Sequence, residues 1–264
     1  KATNSAAANT ITLANGTLNI PTGATITGLT SGSGATLTNL VTISGNYTTT
    51  VFTVYSGGTG AVIANLNITD GSPGISNSAG VVTVIGSTFS GNNGSAISSY
   101  SNGTLTGPAV TVIGSTFSGN SSSGDGGAIW AADTNVTVTG STFSGNLGGG
   151  AIFVCCGAMR IENSTISGNY AANGDGGGIF DLGATLNVAN SIVEGNTTGV
   201  AGATPDIGLI DIGPTWGSSV NDLGGIRRIR VGVRSQSVAR KRDKGTMSRR
   251  DRNAAIASGR EAVD

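Results

Sequence analysis

The stretch Val82–Asn92, VTVIGSTFSGN, decides the fold, because the chain prints it again and again. Val110–Asn120 repeats it letter for letter, and Val136–Asn146 reads VTVTGSTFSGN. Arg160–Asn169 reads RIENSTISGN, Leu186–Asn196 reads LNVANSIVEGN, and a degenerate forerunner spans Ala61–Gly71. The closing asparagines Asn92, Asn120, Asn146, Asn169 and Asn196 lie 28, 26, 23 and 27 residues apart. A period of that size marks a stacked repeat architecture. Inside one copy, Val82 and Val84 flank Thr83, and Ser87 and Phe89 flank Thr88. This is the period-two alternation of short strands with one buried face. Gly86 and Gly91 break the pattern at corners.

A third short strand falls between copies, at GSAI (Gly94–Ile97), GGAI (Gly126–Ile129 and Gly149–Ile152) and GGGI (Gly176–Ile179). Three short strands per repeat are one coil of a parallel β-helix. Stacked coils pair about 4.8 Å apart, so each position lands on its counterpart in the next coil. Three interior columns follow: Val84–Val112–Val138–Ile161–Val188, Phe89–Phe117–Phe143–Ile166–Val193, and Ile97–Ile129–Ile152–Ile179. The repeated asparagines are expected to pass amide hydrogen bonds from coil to coil, and to take the left-handed backbone of the corners. The predicted fold is all-β: a single-stranded, right-handed parallel β-helix of roughly eight coils, the hand following from the preference of parallel crossovers.

Two regions divide the 264 residues. Residues 1–225 form the β-helix, with irregular opening coils at Ile11–Ile20, Thr25–Leu29 and Leu40–Ser44 and a looser last coil in which Ile207, Leu209 and Ile212 are interior candidates. Residues 226–264 are a basic, non-repetitive tail, read as disordered or weakly helical over Ser248–Val263. The formal net charge of zero hides this division. The body carries only Lys1 and Arg160 against ten acids, and the tail has twelve bases against four acids. An acidic body repels polyanions, so nucleic acid is not its expected partner. No apolar run is long enough to span a membrane as a helix. Cys155 and Cys156 are adjacent and read as two small thiols in a corner loop.

STFSGN, with GGAI in the intervening segment, resembles the repeats of polymorphic outer-membrane-protein-type adhesins. More broadly, those repeats and the approach VFTVYSGGTGAVIANLNITDG resemble secreted bacterial right-handed β-helix proteins of the pectate-lyase-like superfold. The resemblance covers about Ile11–Gly225 and implies an extracellular or cell-surface bacterial protein. It leaves function open, because that superfold hosts lyases, hydrolases, tailspikes and adhesins.

The residues favour a non-enzymatic protein. Glycoside hydrolysis needs two carboxylates flanking one bond, and elimination needs a basic residue as proton acceptor. The body has no histidine and only Arg160 beyond Lys1, so no catalytic residue is assigned and a polysaccharide lyase or glycoside hydrolase stays the alternative. GDGG occurs twice, placing Asp125 and Asp175 in one column with Gly148 between. Two rungs, about 9.6 Å, separate those carboxylates too far to share one calcium ion. No metal or cofactor is assigned.

Trp130, Phe153 and Phe180 each follow a stacked isoleucine on successive coils. With the isoleucine inward they face outward, a candidate ligand-binding stripe for neutral glycans or another cell surface. Outward threonine columns, Thr83–Thr111–Thr137 and Thr88–Thr116–Thr142–Thr165, also resemble ice-binding solenoids, although Arg160 and Asn187 interrupt the first.

Overall fold

In the computed structural model the described residues are 9–14, 16–21, 23–32, 38–55, 60–101, 108–172, 176–199, 201, 205–211, 219–221 and 231–235. They form a right-handed parallel β-solenoid with no helix among them. One coil runs Ile129–Ala132, Asn135–Thr139, Thr142–Ser144, and the next begins at Ile152–Cys155. Each third of the coil stacks on its counterparts, giving three long sheets of nine, eight and eight strands. They are named here by their strands: the AI sheet (Ile129–Ala132 and counterparts), the VTV sheet (Asn135–Thr139) and the TFS sheet (Thr142–Ser144). Strands Asn9–Thr12, Leu18–Ile20, Thr25–Thr27 and Val41–Ser44 supply the opening coils. A short antiparallel pair, Thr30–Ser31 with Thr38–Asn39, interrupts them and has no signal in the repeat.

The interior columns stand in the expected register. Val84, Val112, Val138, Ile161 and Val188 are consecutive partners, as are Phe89, Phe117, Phe143, Ile166 and Val193. All are fully buried in one continuous core. The three phenylalanine rings stack nearly parallel, with centroids 4.8 and 4.7 Å apart. Burying each such side chain is worth about 1.5–3 kcal/mol, and identical rings pack on each other without any change of rotamer from coil to coil.

The asparagines form an unbroken ladder. Nδ2 of Asn92 donates to Oδ1 of Asn120 at 2.8 Å, and the same bond links Asn120 to Asn146, Asn146 to Asn169 and Asn169 to Asn196 at 2.9 Å. Each Oδ1 also accepts the backbone N–H of the preceding asparagine. The second Nδ2 proton reaches back to a carbonyl of the coil below, as from Asn146 to Phe117. Asp206 ends the series, its Oδ1 accepting both N–H and Nδ2–H of Asn196. The buried amides are thereby satisfied, which a core position demands.

One expectation for these asparagines is corrected: the left-handed residue of their corner is the preceding glycine. Gly91, Gly119, Gly145, Gly168 and Gly195 have φ of 61–69°, whereas no ladder asparagine has positive φ. Glycine takes that conformation without a steric penalty, which leaves the asparagine backbone free to aim its amide inward. A second ladder runs through Ser87, Ser115, Ser141, Ser164 and Ser191. Each backbone N–H donates to the next Oγ, and that hydroxyl donates to the carbonyl two residues before it.

The AI sheet continues past Ile207–Asp211 to Val231–Ser235, which pairs with it in parallel from Ile207 opposite Val231. That strand lies in the stretch read as a non-repetitive tail. Ile207 is fully buried. Ile212 and the helix expectation at Ser248–Val263 lie outside the described residues.

Candidate ligand-binding face

Along an AI strand the odd positions face the core and the even ones face outward. Ile152 and Val154 are fully buried in the core, as are Ile129 and Ala131. The outward positions form two columns. In one, Ser98, Trp130, Phe153, Phe180 and Gly208 are successive partners. In the other, Tyr55, Ser78, Tyr100, Ala132, Cys155 and Leu182 follow one another.

The rings of Trp130 and Phe153 lie 6.3 Å apart at 18°, and those of Phe153 and Phe180 lie 5.4 Å apart at 58°. They form a cluster separate from the core, with Cys155 and Leu182 packed against it. The three side chains share one outward column, but they are not three solvent-facing rings. Phe153 and Phe180 are only 4% and 8% exposed, and Trp130 alone is half-buried. For Phe153 the cause is the stacking, since it has a ring on each side, whereas Trp130 has Ser98 as its lower neighbour; Phe180 is buried although its next partner is Gly208. Period-two alternation assigns a side of the sheet and says nothing about what else packs there.

Tyr55 and Tyr100 are exposed at 58% and 49% on the same face and were missed. The signal was available, since both have outward parity in strands that begin with a stacked Phe52 and Ile97. Thr88, Thr116, Thr142 and Thr165 stand in a registered outward column on the TFS sheet. Thr83, Thr111 and Thr137 do so on the VTV sheet, where Arg160 takes the next place. Arg160 is exposed and ion-paired with Glu162 two residues along its strand.

Polar groups at the corners complete the picture. Cys155 and Cys156 are joined by a disulfide, where two free thiols were expected. The pair sits at the end of an AI strand, where Cys156 turns with φ of 61°, so the bridge lies within one corner. Asp181 is a fully buried carboxylate that sequence reading passed over, in the interior column continuing Asn77, Ser99, Ala131 and Val154. Its Oδ1 accepts the Ala184 N–H at 2.7 Å and braces the following corner. Asp125 is half-buried, with its Oδ1 where a Cβ on Gly149 would lie, and that burial pushes its carboxyl above the usual range. Asp175 lies outside the described residues, among which no three metal-ligating side chains converge. Exposed Tyr47 is held above its ordinary value by its hydrogen bond to the Asp70 carboxylate.

Every outward position of the AI strands from Phe52–Tyr55 to Ile179–Leu182 is uncharged. What this arrangement offers chemically is a flat, neutral surface with hydroxyls at one end and rings at the other. No described helix is long and apolar enough to cross a membrane.

Comparison with curated proteins and with solved structures found no match. The family model described as the right-handed beta helix region matches residues 51–207, which span the regular coils and both ladders of side chains. With that match over more than half of its length, the chain belongs to the right-handed β-helix family.

Proposed function

We propose that the solenoid is a non-enzymatic, extracellular or cell-surface binding domain, which adheres to neutral glycans of another surface through the outer face of its AI sheet. The observation that carries this reading is Trp130: a half-exposed indole closing a stack of rings on a sheet face without charge. Flat aromatic surfaces hold sugars through their apolar faces and need no ion pair to do so. Phe153 and Phe180 act behind it, as the packing that fixes the indole. The GGAI and STFSGN repeats, similar to those of polymorphic outer-membrane-protein-type adhesins, point the same way.

The test is an array of neutral and acidic glycans probed with the native protein and with Trp130→Ser. Neutral glycans are expected to bind, and the substitution to weaken them at least tenfold, by analogy with the contribution of about 1–3 kcal/mol that an aromatic side chain makes per stacked nucleic-acid base. Binding only to acidic glycans, or an unchanged affinity, would overturn the reading. Release of reducing or unsaturated sugars in a parallel incubation would replace it by the lyase or hydrolase alternative. A second reading, ice binding, has its own observation in the unbroken column Thr88–Thr116–Thr142–Thr165. Thermal hysteresis lost in a Thr116→Tyr variant would establish it.

A further inference from the structure

Cys155 and Cys156 are the chain's only cysteines, and their bond joins neighbours in sequence. On the chain-entropy account a disulfide stabilises a fold by closing a loop in the unfolded chain, and this one encloses no residue. Nor does the corner need it. The same left-handed place is filled by Ala79, Asp133 and Gly183 in other coils, which turn without sulfur. The backbone on both sides is held by its neighbours in any case. Ile152–Cys155 pairs with a strand above and a strand below, as does Ala158–Glu162. The carbonyls of Cys155 and Gly157 accept from the N–H groups of Asp133 and Thr185, both at 2.9 Å. What remains for the bond to act on is the outer face. Cys155 stands between Ala132 and Leu182 in its column and packs against Phe153 and Phe180, as Trp130 does. Cys156 is not part of that cluster, and both cysteines are half-buried rather than enclosed.

We propose that Cys155–Cys156 is a reversible thiol-exchange site: a low-molecular-weight thiol opens the bond, the matching disulfide closes it, and the Trp130–Phe153–Phe180 cluster registers the change. The thiolate attacks the sulfur of Cys156 and forms a mixed disulfide. The electron pair of the broken bond leaves on the sulfur of Cys155, which takes up a proton. A second thiolate attacks the mixed disulfide at the small molecule's sulfur and frees Cys156 as a thiol. The chain thereby gains two electrons and two protons, and two thiol molecules become one disulfide. Cys156 is the sulfur attacked because Cys155 has the ring cluster against it. With the bond open, the Cys155 side chain is free to change rotamer, so its packing on Phe153 and Phe180 loosens while the strands stay paired. The site lies on the face of the proposed ligand platform, but the exchange does not depend on what binds there.

The experiment equilibrates the full chain in reduced and oxidised glutathione at graded ratios, blocks thiols with iodoacetamide and counts the additions by mass. Two additions per chain should appear together as reduced glutathione rises, and disappear when oxidised glutathione is restored. In Trp216→Phe, which leaves Trp130 as the single indole, emission should shift in step with that count, and in Trp130→Phe the shift should be absent. The Tm of the reduced protein, and of Cys155→Ser/Cys156→Ser, should lie within about 4 °C of the oxidised protein's. Cys155→Ser, which keeps Cys156, should take up glutathione from its disulfide faster than Cys156→Ser does. A bond that opens only when the protein unfolds, or thiols that stay free in oxidised glutathione, would overturn the site. A larger fall in Tm would make the bond a structural staple instead. A thiol count that changes while Trp130 emission does not would overturn the coupling to the cluster, and faster uptake by Cys156→Ser would overturn the assignment of the attacked sulfur.

Discussion

Two corners of the same coil are built on opposite plans. From Thr88–Ser90 to Ile192–Glu194 the corner after the TFS strand repeats one chemistry: a left-handed glycine, then an asparagine, bonded to the asparagine of the next coil at 2.8–2.9 Å until Asn196 meets Asp206. The corner after each AI strand is different every time. Ala79, Asp133, Cys156 and Gly183 all take positive φ there. They are braced by bonds within the coil, from Asn77 Nδ2 to Gly80 O, from Thr134 Oγ1 to Ala132 O, and from Ala184 N–H to Asp181 Oδ1, with one side-chain bond, Asn77 Nδ2 to Ser99 Oγ, crossing to the next coil. Along the asparagine ladder a bond repeated from coil to coil joins copies of the same letter; a bond made inside a coil leaves each coil free. The variety that a binding face needs, Tyr100, Trp130, Phe153 and Cys155 among it, accordingly sits on the strands leading into the self-braced corner.

The contrast can be broken most forcefully at the ladder. Asn146→Leu removes the acceptor for Asn120 N–H and Nδ2–H and the donor to Phe117 O and Asn169 Oδ1. With about 1–3 kcal/mol for each buried group left unsatisfied, a loss above about 3 kcal/mol is expected in chemical denaturation. A loss below about 1 kcal/mol would show that the ladder holds nothing together. Next comes the self-braced corner. Asp181→Ala should cost about 1–3 kcal/mol, and Asp181→Asn less, since its amide oxygen can still accept from Ala184. Faster hydrogen exchange should stay around residues 179–185; exchange spreading along the asparagines would merge the two plans into one.

The smallest effect concerns Asp125, in the glycine-rich approach to an AI strand. Burial raises its folded-state value, so the folded protein holds this proton more tightly than the unfolded chain. That advantage is complete below the unfolded value of 3.8 and is lost as pH rises through the folded value. At neutral pH the ionised, half-buried carboxylate therefore weighs against folding. Asp125→Asn should raise Tm slightly at neutral pH, and the gain should vanish below pH 3.8. A lower Tm at neutral pH would mean that the carboxylate contributes a bond the amide cannot replace.

What recurs between coils as identical letters was most legible in the sequence: the Phe89–Phe117–Phe143 stack and the asparagine ladder both show at the repeat period. The serine ladder showed too, but Ser87 and its counterparts were read only as buried-face positions, since period-two alternation carries no hydrogen-bond partner. What is imposed within a single coil left no such trace. Asp181, the Cys155–Cys156 bridge and the short pair at Thr30–Ser31 and Thr38–Asn39 each occur once, and a repeat comparison averages them away. The burial of Phe153 was hidden for another reason: it depends on the rings of Trp130 and Phe180 a rung below and above on the outer side.

The asparagine ladder has a consequence for how such a chain grows. Val82–Asn92 and Val110–Asn120 are identical, and each stacks on the other with every bond made. A gene segment encoding one coil is therefore its own compatible neighbour, above and below. Tandem duplication lengthens the rod by a whole rung without any compensating change. Asp206 is the exception. Its Oδ1 accepts the last two donors, and the side chain has no amide N–H to hand on. A duplicated copy of it would break the series of amide donors that each rung passes to the next, so copy number is free to drift inside the ladder and fixed at its end.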